Sequence, residues 1–148
     1  MTPFTKRITS EILLSYPEWE SRAIFESYKG SEPYLIICIS APPEAKTDRP
    51  FRISTWDDEV TVDFDYYHCH FEKWLPEEDD ERNQAALLYV KDLFAERFAV
   101  ASWWKGNKMR MSALHKPGEI LNKPLPLIRF NRIRVRSWKG TLNEDMEF

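Results

Sequence analysis

Two alternating runs, Phe51 to Trp56 and Glu59 to Tyr66, face each other across Asp57-Asp58, and this pattern limits the possible folds more than any other stretch. A strand turns successive side chains to opposite faces, so a two-residue turn at Asp57-Asp58 fixes the register. It sets Phe51 opposite Phe64, Ile53 opposite Val62 and Thr55 opposite Val60 on one face. On the other face Arg52 meets Asp63 and Ser54 meets Thr61. One side is apolar and the other polar with matched charge, as a half-buried antiparallel pair requires. Asp-Asp is a poorer primed-turn pair than Asn-Gly, so a longer loop is compatible with the same alternation.

The remaining segments extend this framework. Ser15 to Tyr28 has Pro17 near a helix start, Trp19, Ala23 and Ile24 at helical spacing, and Gly30 as a stop, which predicts an amphipathic helix. Tyr34 to Ile39 is a continuous apolar run and predicts a central strand, followed by a proline-rich surface loop over Ala41 to Pro50. Pro76 to Phe98 starts with five consecutive acids and continues through Ala86, Leu87, Val90, Leu93, Phe94 and Phe98, predicting a second helix with its acids at the favourable end of the dipole. Val100 to Lys105 and Lys108 to Leu114 flank Gly106-Asn107. A hairpin there pairs Trp104 with Met109, Ser102 with Met111 and Trp103 with Arg110. Lys116 to Pro126 predicts a loop, Ile128 to Trp138 a last strand, and the acidic tail Asn143 to Phe148 is expected to fray. Hairpins outnumber crossovers, so the expected fold is α+β: an antiparallel sheet of about six strands with two main helices packed on it, in a single domain over residues 1–148.

Composition excludes several classes. With 43% hydrophobic residues in 148, the chain can bury a core, and its net charge of −3 is not that of a basic nucleic-acid protein. Lys6 and Arg7 precede no long apolar stretch, and the best apolar run is too short to cross a bilayer, so a soluble cytoplasmic chain is expected. Cys38 and Cys69 form no CxxC and are expected to be reduced thiols. No GxSxG, glycine-rich phosphate loop or HExxH occurs and only four glycines are present, which argues against a nucleotide-dependent enzyme and suggests no cofactor.

The run from Asp63 to Phe71 holds the candidate chemistry. In an extended chain Asp63 and Asp65 share one side, as do His68 and His70. A metal-dependent hydrolase could be built on these four, because zinc needs three or four converging ligands and a His-x-His pair supplies two. Against this, a strand end can carry solvated acids and locally bonded imidazoles. Cys69 cannot share a strand face with its neighbouring histidines, so it reads as a structural thiol. Charge is divided along the chain: 11 acids and one base from Asp57 to Glu81, 11 bases and one acid from Arg97 to Lys139. Either the two stretches neutralise each other, or the acids around Asp57, Asp58, Glu59, Asp63 and Asp65 face a basic partner while Arg132, Arg134 and Arg136 form a row for phosphates, as in a nucleic-acid-binding module.

The segment Glu59-Val60-Thr61-Val62-Asp63-Phe64-Asp65-Tyr66-Tyr67-His68-Cys69-His70-Phe71 resembles the small immunity proteins of bacterial polymorphic toxin and contact-dependent inhibition systems, several of which carry V-T-V-x-F followed by H-x-H-F. Cysteine stands between the histidines where a small polar residue would be expected. The resemblance implies a cytoplasmic, non-catalytic inhibitor that binds a cognate toxin, such as a basic nuclease domain, and covers its active site. The residues expected to meet the partner are Asp57, Asp58, Glu59, Asp63, Asp65, His68 and His70.

Overall fold

The computed structural model describes residues 1–71, 79–121 and 129–148, with the first residues of the second helix described in backbone only. The expected helix start at Pro76 to Glu78, loop residues 122–126 and the strand start at Ile128 lie outside the described residues. The fold is α+β, and the described residues form nine strands in two antiparallel sheets of five and four rather than one sheet of about six. Two compact units divide the chain: residues 1–40, 50–63 and 68–90, and residues 41–49, 64–67 and 91–148.

The first unit begins with α1 (Pro3–Ser15). Thr2 caps it by accepting the Thr5 N–H on its hydroxyl at 3.1 Å, and Pro3 occupies the first turn where no donor is needed. Phe4, Ile8 and Ile12, four residues apart, bury one stripe. The helix expected over Ser15 to Tyr28 does not form. Pro17–Arg22 is a 3₁₀ helix that buries Trp19 against Tyr16 with ring centroids 4.1 Å apart, and β1 (Ala23–Glu26) follows. Pairing of Ala23, Ile24 and Phe25 with Ile37, Ile36 and Leu35 of β2 (Tyr34–Ile39) outweighs the marginal helical spacing.

β2 is paired on both sides, with Leu35 and Ile37 fully buried and Cys38 exposed. β3 (Phe51–Ser54) and β4 (Val60–Phe64) pair Arg52 with Asp63, Ile53 with Val62 and Ser54 with Thr61, the register expected from the sequence. The two-residue turn holds as well. Asp57 and Asp58 both take positive φ (56° and 54°), and the Glu59 N–H closes the turn on the Trp56 carbonyl at 3.1 Å. Aspartate is among the few residues that adopt this conformation at modest cost. β5 (Tyr67–Phe71) completes the order β1-β2-β3-β4-β5. Leu35, Ile37, Ile53 and Val62 line the inner face, where Ile8, Ile12, Ile53, Val60 and Ala86 surround one small void.

In the second unit, the end of α2 (Asp79–Phe94) closes with Glu96 in the left-handed region. The Glu96 and Arg97 N–H groups bond the Leu93 and Asp92 carbonyls at 3.1 and 3.0 Å. β6 (Ala99–Lys105) is buried over six residues and is flanked by β7 (Lys108–His115) and β8 (Arg132–Arg136), with β9 (Glu144–Glu147) outermost. Trp104 pairs with Met109 as expected, but a bulge between Trp103 and Trp104 sets Trp103 opposite Met111 and Ser102 opposite Ser112, leaving Arg110 as the extra residue. Trp103 then joins Ala99, Ala101, Ile133 and Val135 in the core, while the Trp104 indole donates to the Ser102 hydroxyl at 2.8 Å. The acidic tail does not fray: it pairs with the arginine-rich strand, Glu147 opposite Arg132 and Asp145 opposite Arg134. Among the described residues no helix is long and apolar enough to cross a membrane.

Candidate functional site

The register of β3 and β4 that buries Ile53 and Val62 turns Arg52, Ser54, Thr61 and Asp63 to the outer face of the first sheet. These residues, with His68 and His70 of β5, form one side of an open groove of about 450 Å³. Tyr28, Tyr34 and Trp56 form the other side. The Trp56 ring, 40% exposed, stands edge-on to both tyrosines, with centroids 4.8 Å from Tyr34 and 5.6 Å from Tyr28. An exposed indole held by two flanking rings has little conformational entropy left to lose on contact with a partner.

The polar side is bonded internally. Arg52 lies 3.6 Å from Asp63, across the strand pair. The His70 ring bonds the Glu59 carboxylate and the Thr61 hydroxyl through Nδ1, and its centroid is 4.8 Å from that of His68. A second hollow of about 130 Å³ lies beyond Tyr34 and Trp56, where Glu32, Asp57 and Asp58 gather. Asp58 accepts the Thr2 hydroxyl at 2.7 Å, and Asp57 is exposed.

Asp57, Asp58, Glu59, Asp63, His68 and His70 thus lie on or beside one surface of the first unit, whereas Asp65 belongs to the second unit and is buried. Asp65 is 3% exposed and accepts the Asp48 N–H at 3.0 Å, and burial pushes its carboxyl above the ordinary range. The reason is its positive φ of 50° in the turn between β4 and β5, which breaks the alternation that would have placed it beside Asp63. The four residues of the hydrolase reading are therefore not brought together. No group of three or more histidines, cysteines, aspartates or glutamates able to hold a metal occurs among the described residues. Burial raises the Cys69 thiol above its usual range, which disfavours the nucleophilic thiolate.

The arginine row is likewise not an open platform. Arg134 and Arg136 are each 7% exposed. Arg134 donates to Asp48 at 2.6 Å, and Arg136 donates to the Lys46 carbonyl at 3.2 Å and pairs with Asp145 at 2.9 Å. A buried guanidinium needs several acceptors, and the 41–49 loop and β9 supply them.

The aromatic members of the groove were not singled out from sequence as a group. Parity on β2 and β3 places Tyr34 beside Arg52 and Ser54, but Tyr28 reaches Trp56 from a turn whose path no spacing rule specifies. No protein-family model, curated protein or solved structure matches this chain.

Proposed function

We propose that this protein is a non-catalytic binding protein of the immunity type, which uses the outer face of its first sheet to grip a cognate bacterial toxin and cover the toxin's active site. The observation that carries the reading is the gathering, on one surface, of an aromatic anchor at Trp56 with the exposed carboxylate of Asp57 and the half-buried carboxylates of Asp58, Glu59 and Asp63. Interfaces concentrate binding energy in such anchors, and acidic surroundings steer a basic partner such as a nuclease domain. His68 and His70 border the same groove and belong to the contact surface. The protein acts in the cytoplasm, where an incoming toxin would meet its target.

The test is co-expression with the product of the gene next to its own. Growth inhibition by that neighbour, relieved by this protein and accompanied by a co-purifying complex, is the expected result. Trp56→Ala should weaken the complex by about 30-fold or more, the cost of losing a central aromatic anchor. A neighbour with no toxicity, or relief that survives Trp56→Ala combined with Asp57→Lys, would overturn the assignment.

A further inference from the structure

The edges of the two sheets differ in chemistry. In the second sheet, β9 carries Glu144, Asp145 and Glu147, and β7 carries Lys108 and Arg110 beside a bulge, features that discourage further strand pairing. In the first sheet, β1 is terminal and reads Ala23-Ile24-Phe25-Glu26, with Ile24 55% and Phe25 44% exposed. Among the described residues no second strand pairs with β1, and Glu26 is its one charged side chain, so its row of backbone donors and acceptors is less protected than those of β7 and β9.

Its sequence is also self-complementary. A two-fold axis perpendicular to the sheet keeps the inner and outer faces of both copies aligned, so residues opposite one another must come from the same face. Centred on Ile24, antiparallel pairing sets Ile24 against Ile24 of the second copy on the outer face. It also sets each Phe25 over the small Ala23 of the other copy on the inner face. Arg22 then faces Glu26 of the second copy, twice. Both residues are exposed, and neither has an ion-pair partner among the described residues. Centring one residue later would place Ile24 against Glu26 instead.

We infer that β1 is a self-association edge, through which two copies of this chain pair antiparallel about Ile24 and join their five-stranded sheets into one. The contact is short, so the dimer is concentration-dependent and not obligate. This inference does not depend on the toxin partner and stands or fails separately from it.

Sedimentation equilibrium of the full chain, up to about 1 mM, tests it. Wild type should pass from 17.7 kDa towards twice that mass as concentration rises. Arg22→Glu and Glu26→Arg each convert two attractions into two repulsions and should raise the dissociation constant by about 30-fold. Mixed together, the two variants should associate again, because each supplies the charge the other lacks. Circular dichroism of each variant checks that the fold persists. A wild-type chain that stays at 17.7 kDa throughout, or single variants that associate as well as wild type, would overturn the proposal.

Discussion

Replacing either partner of the Arg134–Asp48 ion pair removes the same contact but leaves very different remainders. The Arg134 side chain is 8% exposed, whereas that of Asp48 is 48% exposed. Asp48→Ala strands a buried guanidinium whose remaining acceptor is the Lys46 carbonyl at 3.5 Å, together with the Tyr66 and Trp104 rings at 5.8 and 5.4 Å. Leaving a buried charge without its partner in this way costs up to about 3–5 kcal/mol. Arg134→Met leaves a carboxylate that water can reach and that still accepts the Tyr66 hydroxyl at 2.8 Å. Its cost should be about 1–2 kcal/mol, since the methionine fills much of the stem volume. Asp48→Ala should therefore be the worse variant by about 2 kcal/mol, and adding Arg134→Met to it should recover most of the difference. Urea denaturation with unchanged m-values measures all three. If Arg134→Met costs as much as Asp48→Ala, or if the two effects simply add, the buried-charge reasoning fails. The hydrogen bond from Arg134 holds the Asp48 carboxyl below its ordinary value. A carboxyl lowered in the folded state stabilises fully above its unfolded pKa and loses that contribution as pH falls through the folded one. The acid limb of stability should accordingly flatten in Asp48→Ala.

Asp65 predicts the opposite sign. Its folded carboxyl is raised by burial, so stability falls as pH rises from the unfolded to the folded value. Asp65→Asn keeps an acceptor for the Asp48 N–H and tolerates the positive φ, and should be neutral or stabilising at pH 7 in thermal melts, with a reduced pH slope between those two values. Gly140 has φ of 76°, and an added Cβ would lie 2.1 Å from the Glu44 carbonyl oxygen. Gly140→Ala should cost about 3 kcal/mol or more, against about 1 kcal/mol for Gly106→Ala, where nothing lies within 4 Å; denaturant midpoints decide. Glu96 accepts the Ser137 hydroxyl at 2.6 Å and the Lys139 N–H at 2.7 Å, so Glu96→Ala should lose about 2 kcal/mol and speed hydrogen exchange at Lys139 and Thr141.

Local rules carried the first hairpin to the residue, because inner and outer chemistry had to be satisfied together and only one register does so. They also placed β2, the body of α2 and the start of the second hairpin. The bulge at Arg110 escaped them, since one extra residue on β7 leaves the alternation of β6 intact and no turn rule marks its place. β9 escaped for a related reason. Glu-Asp-Met-Glu has little strand propensity, and it pairs because arginines of β8 stand opposite. α1 was not among the expected elements, although Thr2-Pro3 followed by Phe4, Ile8 and Ile12 supplies the signal for it, a cap and an apolar stripe. At the candidate site, alternation placed Asp63 on the outer face and failed for Asp65, where a left-handed turn residue reverses the direction. Contact between Tyr28 and Trp56 joins two turns and leaves no periodic trace.

Amide chemical-shift mapping with the neighbouring gene's product, inactivated in its active site, tests the partner surface most directly. Binding should perturb Ser54, Trp56 to Glu59, Thr61, Asp63 and His68 to His70 together, and leave Ala99 to Ser102 in the second sheet unchanged. Perturbations centred on the second sheet, with Trp56 and its neighbours unmoved, would contradict the assignment of the aromatic and acidic groove as the gripping surface.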